Sequence, residues 1–575
     1  MRIQKIKIHN FRSIKEQEVT LGDYSILLGE NNAGKTNVIR ALRIFYENDL
    51  KFDSKVDFPK FKTDDQESWI EIDFLTTAEE QANLKDEYKS TDNILRVRKF
   101  LKSDDKERVK ANQSNIFGYE NGVLSSNLFY GAKNISESKI GNVIYIPELS
   151  KVDDSLKMSG PSPLRDMINF VITKIAKKSA SFSKLEKDFE EFNSVFKTED
   201  TEGFSVQNLE QDINNEIKEW NIQFGLKVNP LQPNDIVKNL VSHFIKDGFL
   251  NNEEVKIDSF GQGLQRHLIY ALIKLSTKYN DDIKKEKKEF SPDFTFILFE
   301  EPEAFLHPSQ QEKMNTSLQL LAKDDEQQIL ITTHSPIFVS KNTDNIPSLI
   351  RVKRDGESKI FQLHKEQVET LFDQNTGMHQ MFLDKLKDTS TDEQLKKKIR
   401  DKKLANETDD LEIKLKEESF KYFLWIDGER ASSFFAKHVL ICEGATEKIF
   451  LDYLTDTIWT EFKDKHIYIL DALGKFNIHR YMNLFGFLGI EHSVLMDKDN
   501  DTDIHKEINA FIESKKNQYT KQIKCFDEDI EGFLGIDKPS RRDQKPLNII
   551  YKYNQKEIAE DKINALKTLF EDLFK

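Results

Sequence analysis

The sequence predicts an α/β protein made of two sheet-based domains with helical segments between them. Three observations carry this expectation. A strand near the N-terminus runs directly into a glycine-containing loop, two later apolar strands end in acidic or polar residues, and a second alternation of strands and helix-length segments begins after Ala436. The 575 residues also exceed the size at which one hydrophobic core stops growing, so more than one domain is required.

Composition narrows the class. With 38% hydrophobic residues, 42 Phe among the aromatics and 32% charged residues, the chain can fill sizeable cores under a solvated exterior. No run approaches the roughly 20 apolar residues that cross a bilayer, and Met1-Arg-Ile-Gln-Lys alternates polar and apolar residues instead of forming a signal-peptide core. A cytoplasmic protein without membrane partners is expected. Cys442 and Cys525 are too few for a disulfide framework and lack zinc-site spacing, which predicts two reduced, structural thiols. A net charge of -14 argues against a uniformly basic nucleic-acid-coating surface, so contact with DNA or RNA would rely on local basic patches or metal ions.

Along the chain, Ile3 to His9 and Tyr24 to Leu28 read as strands separated by a turn at Gly22-Asp23. Residues 1–149 form the first part of the N-terminal domain. A Lys/Glu-rich stretch with helical spacing, as in Phe182, Leu185, Phe189, Phe192 and Phe196 and then Leu209, Ile213 and Ile217, predicts a helical insertion over 150–255, a candidate dimerisation element. Strand signals return at Phe294 to Phe299 and Gln328 to Thr332 within 256–380. A run of alternating charges from Asp384 to Glu418 predicts a helical linker over 381–435. The second α/β domain occupies 436–575, with strands at His438 to Cys442, His466 to Leu470 and His492 to Met496.

Gly29-Glu-Asn-Asn-Ala-Gly34-Lys35-Thr36 satisfies the phosphate-loop pattern between a strand and a helix. Glycines let backbone N–H groups converge on phosphate, Lys35 reaches the β/γ-phosphates, and Thr36 holds Mg²⁺. Asn32 and Asn37 join these as candidate nucleotide ligands. In Phe294-Thr-Phe-Ile-Leu-Phe-Glu300-Glu301-Pro302-Glu303 a strand delivers carboxylates to its C-terminal edge, where Glu300 fits metal positioning and Glu301 fits polarising a water. His334, after the next strand, is placed to sense the γ-phosphate. The blander readings, a charged loop and a surface histidine, lose weight because the motifs occur together and in order.

The C-terminal domain repeats the strand-end logic. Val439-Leu-Ile-Cys-Glu443-Gly-Ala-Thr-Glu447 places one acid at a strand end and another four residues later on an opening helix. Asp497 and Asp499 close a further strand with side chains on one side. Oxygen ligands without Cys/His clustering indicate Mg²⁺ or Mn²⁺, and a pair of such ions is a device for phosphodiester hydrolysis. The competing reading is helix capping by acids that follow strands.

With Ile8-His-Asn-Phe-Arg-Ser13 and Ser259-Phe-Gly-Gln-Gly-Leu-Gln-Arg266, the first set of motifs resembles ABC-type P-loop ATPases of the SMC and DNA-repair kind over residues 1–380. The resemblance implies ATP sites shared between two copies, with Ser259 and Gly261 contributing in trans. The signature-like segment departs from Leu-Ser-Gly-Gly-Gln, so ATP hydrolysis and purely conformational control by ATP both stay open. The second set resembles the Toprim domain of topoisomerases, primases and OLD (overcoming lysogenization defect) nucleases over residues 436–575. An ABC ATPase followed by Toprim is the OLD-family arrangement, a group that includes Gabija and retron-associated defence effectors.

That resemblance implies that Gly474-Lys475 lines the pocket, that Asp529 and Glu531 complete a second metal site, and that a late lysine, Lys545 with Lys552 in reserve, stabilises transition-state charge. It implies an ATP-regulated, metal-dependent DNA endonuclease acting as a dimer or tetramer in anti-phage defence. A helicase, or a reverse transcriptase with its RNA–DNA product, is the implied kind of partner. The alternative is a non-cleaving, ATP-dependent nucleic-acid sensor or scaffold.

Overall fold

The computed structural model describes residues 1–47, 50–132, 139–148, 168, 172, 175, 179–196, 199–200, 205–220, 222–226, 244–248, 253–255, 260–261, 263–264, 267–268, 271, 290, 292, 294–323, 325–339, 346–499 and 503–575. They fall into two compact units, one of Met1–Val143, Glu289–Glu303 and Pro308–Lys575, the other of Ile144–Lys288 and Ala304–His307. Ser259 and the boundary placed between 149 and 150 lie outside the described residues.

The first unit begins with β1 (Arg2–Phe11), β2 (Ile14–Thr20), β3 (Tyr24–Leu28), α1 (Lys35–Tyr46), β4 (Ser68–Leu75), β5 (Ile94–Lys102), β6 (Ile116–Glu120) and β7 (Val123–Leu128). An antiparallel sheet has the order β2-β1-β4-β5-β6-β7. The sequence reading passed straight from the first strand to Tyr24, and the structure corrects it by inserting β2. Only Ile14 and Val19 of β2 are buried, while the four polar residues Lys15 to Glu18 between them are half-buried or exposed, so this edge strand carries little apolar signal. In contrast β3 is buried throughout. The apolar spacing Val38, Ile39, Leu42, Phe45 gives α1 one buried face.

In the second unit, α2 (Ala180–Phe196) and α3 (Val206–Glu216) follow the spacing of the aromatic and aliphatic residues read from the sequence, and Ser205 caps α3 by accepting from the Asn208 N–H at 3.0 Å. A short antiparallel pair, β8 (Ile245–Asp247) and β9 (Glu253–Val255), belongs to the same unit.

The first unit resumes with β10 (Thr295–Glu300), α4 (Pro308–Leu321), β11 (Gln327–Thr332), β12 (Leu349–Asp355) and β13 (Glu357–Gln362). With β3 they form a sheet in which β13-β12-β3-β11-β10 are neighbours in that order. β12, β3, β11 and β10 are parallel and β13 is antiparallel to β12. Parallel pairing brings the C-terminal ends of β3, β10 and β11 to one side, and with them the phosphate loop, Glu300-Glu301 and His334.

The charged stretch that follows is helical: α5 (Lys365–Lys387), α6 (Glu393–Asp401) and α7 (Leu411–Trp425). The last segment has β14 (His438–Cys442), α8 (Ala445–Thr457), β15 (Ile467–Asp471), α9 (Lys475–Phe487), β16 (Glu491–Asp497), α10 (Asp503–Ser514), β17 (Thr520–Phe526), α11 (Ile530–Leu534), α12 (Lys545–Asn554) and α13 (Glu560–Asp572). Its sheet, β15-β14-β16-β17, is parallel throughout. Leu440, Leu451, Leu495 and Phe570 anchor a core beneath it.

A buried side chain ties the sheet of the phosphate loop to the segments around the C-terminal sheet. Arg351 of β12 is 1% exposed, and its guanidinium donates to the carbonyls of Phe434, Ala436, Leu488 and Gly489 at 2.9 to 3.3 Å. Among the described residues, no helix is long and apolar enough to cross a membrane.

Candidate nucleotide and metal sites

The phosphate loop is held by its neighbours. Gly29 and Gly34 have φ of 139° and 115°, and an added Cβ would meet the Val352 carbonyl oxygen at 2.2 Å or the Ser358 hydroxyl at 2.3 Å, so both positions demand glycine. Lys35 is buried and folds over the loop, donating to the Gly29 and Glu30 carbonyls at 2.9 and 3.0 Å. Thr36 is exposed at the start of α1. Asn32, with φ of 62°, accepts from Arg354 at 3.3 Å. Asn37 is tied to the Phe-Arg-Ser segment, donating to Ser13 Oγ at 2.7 Å and accepting from Arg12 at 3.2 Å.

Beside the loop, Glu300 is buried at the end of β10. The Glu301 N–H donates to the Thr332 carbonyl at 3.0 Å, and its carboxylate lies 3.5 Å from His334 Nε2. Burial first, and the Lys35 charge second, push His334 down to about 4, so at neutral pH it is an uncharged imidazole. Glu303 was not singled out in the sequence, yet it organises this corner. One oxygen accepts from Thr333 Oγ1 at 2.8 Å, the His334 N–H at 2.7 Å and the Ser335 N–H at 3.2 Å. Its signal was present as the third acid of Glu-Glu-Pro-Glu. Gly261 belongs to the second unit.

The C-terminal acids gather where the strand order reverses, between the carboxyl ends of β14 and β16. Glu443 follows β14, and its Oε2 accepts from the Asp497 N–H at 3.4 Å. Glu447 sits on the first turn of α8, where it accepts from the Gly444 N–H at 3.1 Å, so the capping interaction is made by a residue that also belongs to the cluster. Asp529 likewise caps α11 through the Gly532 N–H at 3.0 Å.

Electrostatics show how crowded the cluster is. Burial, then Glu447, Glu443, Asp499 and Asp529, drive Asp497 up to about 9. Burial, with the charges of Glu443 and Glu531 adding to it, raises Glu447 to about 7. Burial also raises Glu443, against the pull of Lys475. Such shifts mean that the acids cannot all ionise without more positive charge.

Three lysines supply part of it. Lys475 donates to Asp499 Oδ2 and the Asp497 carbonyl, each at 2.5 Å. Lys545 lies 3.2 Å from Glu531 and 3.8 Å from Asp529, while Lys538 pairs with Asp529 at 2.7 Å. Lys552 instead pairs with Glu557. Among the described residues, no three His, Cys, Asp or Glu side chains stand as a ready cage for an ion. The donors nevertheless suit a hard cation: they are oxygens, and Asp497 Oδ1 is buried without a hydrogen-bond partner.

Comparison with known proteins matches this arrangement. The AAA ATPase domain family covers residues 1–339, and the TOPRIM domain described as overcoming lysogenization defect protein-like covers residues 434–499. The chain belongs to the AAA ATPase domain family and carries an OLD-like TOPRIM domain. It is 24% identical over 522 residues to the Old nuclease of Escherichia phage P2, spanning 87% of this chain and 77% of that protein. It is also 24% identical over 522 residues to Endonuclease GajA of Bacillus cereus strain VD045, spanning 87% of this chain and 75% of that protein. Among solved structures, an SMC head bound to the C-terminal winged-helix domain of ScpA aligns with 64% of this chain and 100% of its own, at 16% identity and a TM-score of 0.37.

Proposed function

We propose that this protein is an ATP-regulated, divalent-metal-dependent DNA endonuclease that serves as the effector of an anti-phage defence system. The observation that carries the reading is the carboxylate cluster at the β14/β16 switch point, whose Asp497 is pushed up to about 9 by burial and by its acidic neighbours. The names of the two relatives, a nuclease and an endonuclease, support it.

Glu443, Glu447, Asp497 and Asp499 would hold one Mg²⁺ or Mn²⁺ ion, and Asp529 and Glu531 a second. Bound there, the ions supply a water of lowered pKa and neutralise charge on a phosphodiester. The protein's own part is to hold the acids convergent at strand ends, to exclude bulk water from Glu447 and Glu531, and to aim the Lys545 ammonium at a phosphate oxygen. At the nucleotide site, Gly29, Gly34 and Lys35 bind the phosphates, with Asn32 and Asn37 lining the loop. Thr36 and Glu300 would position one Mg²⁺, Glu301 would polarise a water, and neutral His334 would sense the γ-phosphate. Ser259 and Gly261 of a second copy complete the site, making the working form a dimer or tetramer. A helicase, or a reverse transcriptase carrying its RNA–DNA product, is the kind of partner that would restrain the nuclease.

One observation favours the second reading, a non-cleaving sensor or scaffold: an ammonium already stands in each half of the acidic cluster. Incubation of purified protein with supercoiled plasmid in Mg²⁺, Mn²⁺ or EDTA, with and without ATP, separates the two. The endonuclease reading expects metal-dependent nicking by the wild type and none by Asp497→Ala. Intact plasmid with the wild type under every metal condition overturns it in favour of the scaffold.

A further inference from the structure

The first residue of α9 is a lysine, although the N-terminus of a helix is its electropositive end and disfavours a cation. Lys475 stays there because it faces acids. Its side chain is 2% exposed, with Nζ 2.5 Å from Asp499 Oδ2, 2.5 Å from the Asp497 carbonyl oxygen and 3.6 Å from Glu443 Oε2. One ammonium thus bridges the ends of β14 and β16. The fit is incomplete, since Asp497 Oδ1 remains buried without a hydrogen-bond partner.

We propose that Lys475 is an internal counter-cation: it stands in the place of a divalent ion between Asp499 and Glu443, yields that place when an ion binds, and so sets the metal concentration at which the site loads. The inference rests on the metal-dependent reading of the cluster. Half-buried acids this close can ionise together only if positive charge stands among them, even before a metal arrives. An ammonium supplies one charge and three donors, enough to hold the strand ends together, whereas a divalent cation supplies two charges and accepts six or more oxygens. Because the ion must first displace the lysine, its apparent affinity is reduced by the fraction of molecules in which the lysine has withdrawn.

Mn²⁺ titration of the full-length, nucleotide-free protein, following free Mn²⁺ by electron paramagnetic resonance alongside thermal unfolding in EDTA and in Mn²⁺, tests this. Lys475→Met is expected to bind Mn²⁺ about fivefold more tightly or better, to unfold at a lower temperature than the wild type in EDTA, and to recover the difference in Mn²⁺. Lys475→Arg, which keeps the charge and can grip carboxylates with two donors, is expected to preserve the EDTA midpoint and weaken Mn²⁺ binding. A Lys475→Met protein that binds Mn²⁺ no better than the wild type, or that loses the same stability with and without Mn²⁺ as a packing residue would, overturns the proposal. If Lys475→Met does not fold, unchanged Mn²⁺ affinity in Lys475→Arg overturns it. Asp497→Asn locates the failure: if the wild type binds Mn²⁺, Asp497→Asn does not, and Lys475→Met titrates like the wild type, only the counter-cation role falls. No Mn²⁺ binding by the wild type removes the metal reading and this inference together.

Discussion

At the scale of single residues, Glu303 shows how one buried carboxylate can organise a strand end. Burial raises its pKa against the hydrogen bonds that favour its charged form, and three of those bonds fix the Thr333-His334-Ser335 turn. Replacing it by alanine takes the acceptor from the His334 N–H and leaves the Ser335 N–H only Thr333 Oγ1, a loss of about 2 kcal/mol, whereas glutamine retains one acceptor oxygen. Glu303→Ala should therefore lower the thermal midpoint more than Glu303→Gln. It should also reduce ATP turnover about tenfold by loosening His334, while fluorescent-nucleotide affinity stays close to wild type. Equal stability and turnover in the wild type and Glu303→Ala would remove this role.

At the scale of elements, the C-terminal sheet and its helix α9 carry buried histidines whose titration tunes the C-terminal half. Burial pushes His438 on β14 and His492 on β16 down to about 4, and His479 on α9 down to about 3, from an ordinary value of 6.5. As pH falls below 6.5 the unfolded chain takes up these protons first. The histidines' contribution to stability is thus complete above 6.5, declines between 6.5 and about 4 by about 1.4 kcal/mol per pH unit for each, and levels only near 3, where His479 is protonated too; Asp497 and Glu447, whose pKa values are raised, act in the opposite sense over that range. Measured from pH 7.5 to 4, the thermal midpoint of the wild type minus that of His438→Asn should stay constant above 6.5 and shrink as pH falls from 6.5 to about 4. The strands bearing these histidines were legible in the sequence because they are short apolar runs: His438 to Cys442 was read with its observed limits, and His466 to Leu470 lies one residue from Ile467–Asp471. The antiparallel strands β4 to β7 were not read, and β4 shows the reason. Its Glu71 and Asp73 are buried, paired with Arg98 and Arg96 of β5 at 2.6 and 2.5 Å. Charges neutralised across a sheet look solvated when only one strand is in view. The strand-end acids Glu443, Asp497 and Asp499 were legible from position alone, whereas the link between Glu303 and the His334 turn depends on which strands become neighbours.

At the scale of the whole molecule, Arg351 determines how the parts of the first unit depend on each other. It lies on β12, whose Val352 carbonyl packs on Gly29 of the phosphate loop, and its guanidinium is satisfied by carbonyls that include Leu488 and Gly489, just beyond the far end of the helix that begins at Lys475. Burial lowers it to about 10, still charged at neutral pH. Lys353 to Glu491 at 2.8 Å and Asn375 to Asn483 at 2.9 Å reinforce the same contact. Suppose a specific protease site is inserted after Lys403, between α6 and α7. The two fragments should still elute together after cleavage, and Arg351→Ala, which leaves four carbonyls without this donor at a cost of about 3 kcal/mol, should weaken their association measurably without abolishing the bonds that remain. Fragments that separate when Arg351 is intact would contradict this. A single guanidinium thereby makes severing the chain a different event from dismantling the machine: backbone continuity through the charged helices becomes dispensable for cohesion, and insertions there should be tolerated where a methionine at 351 is not.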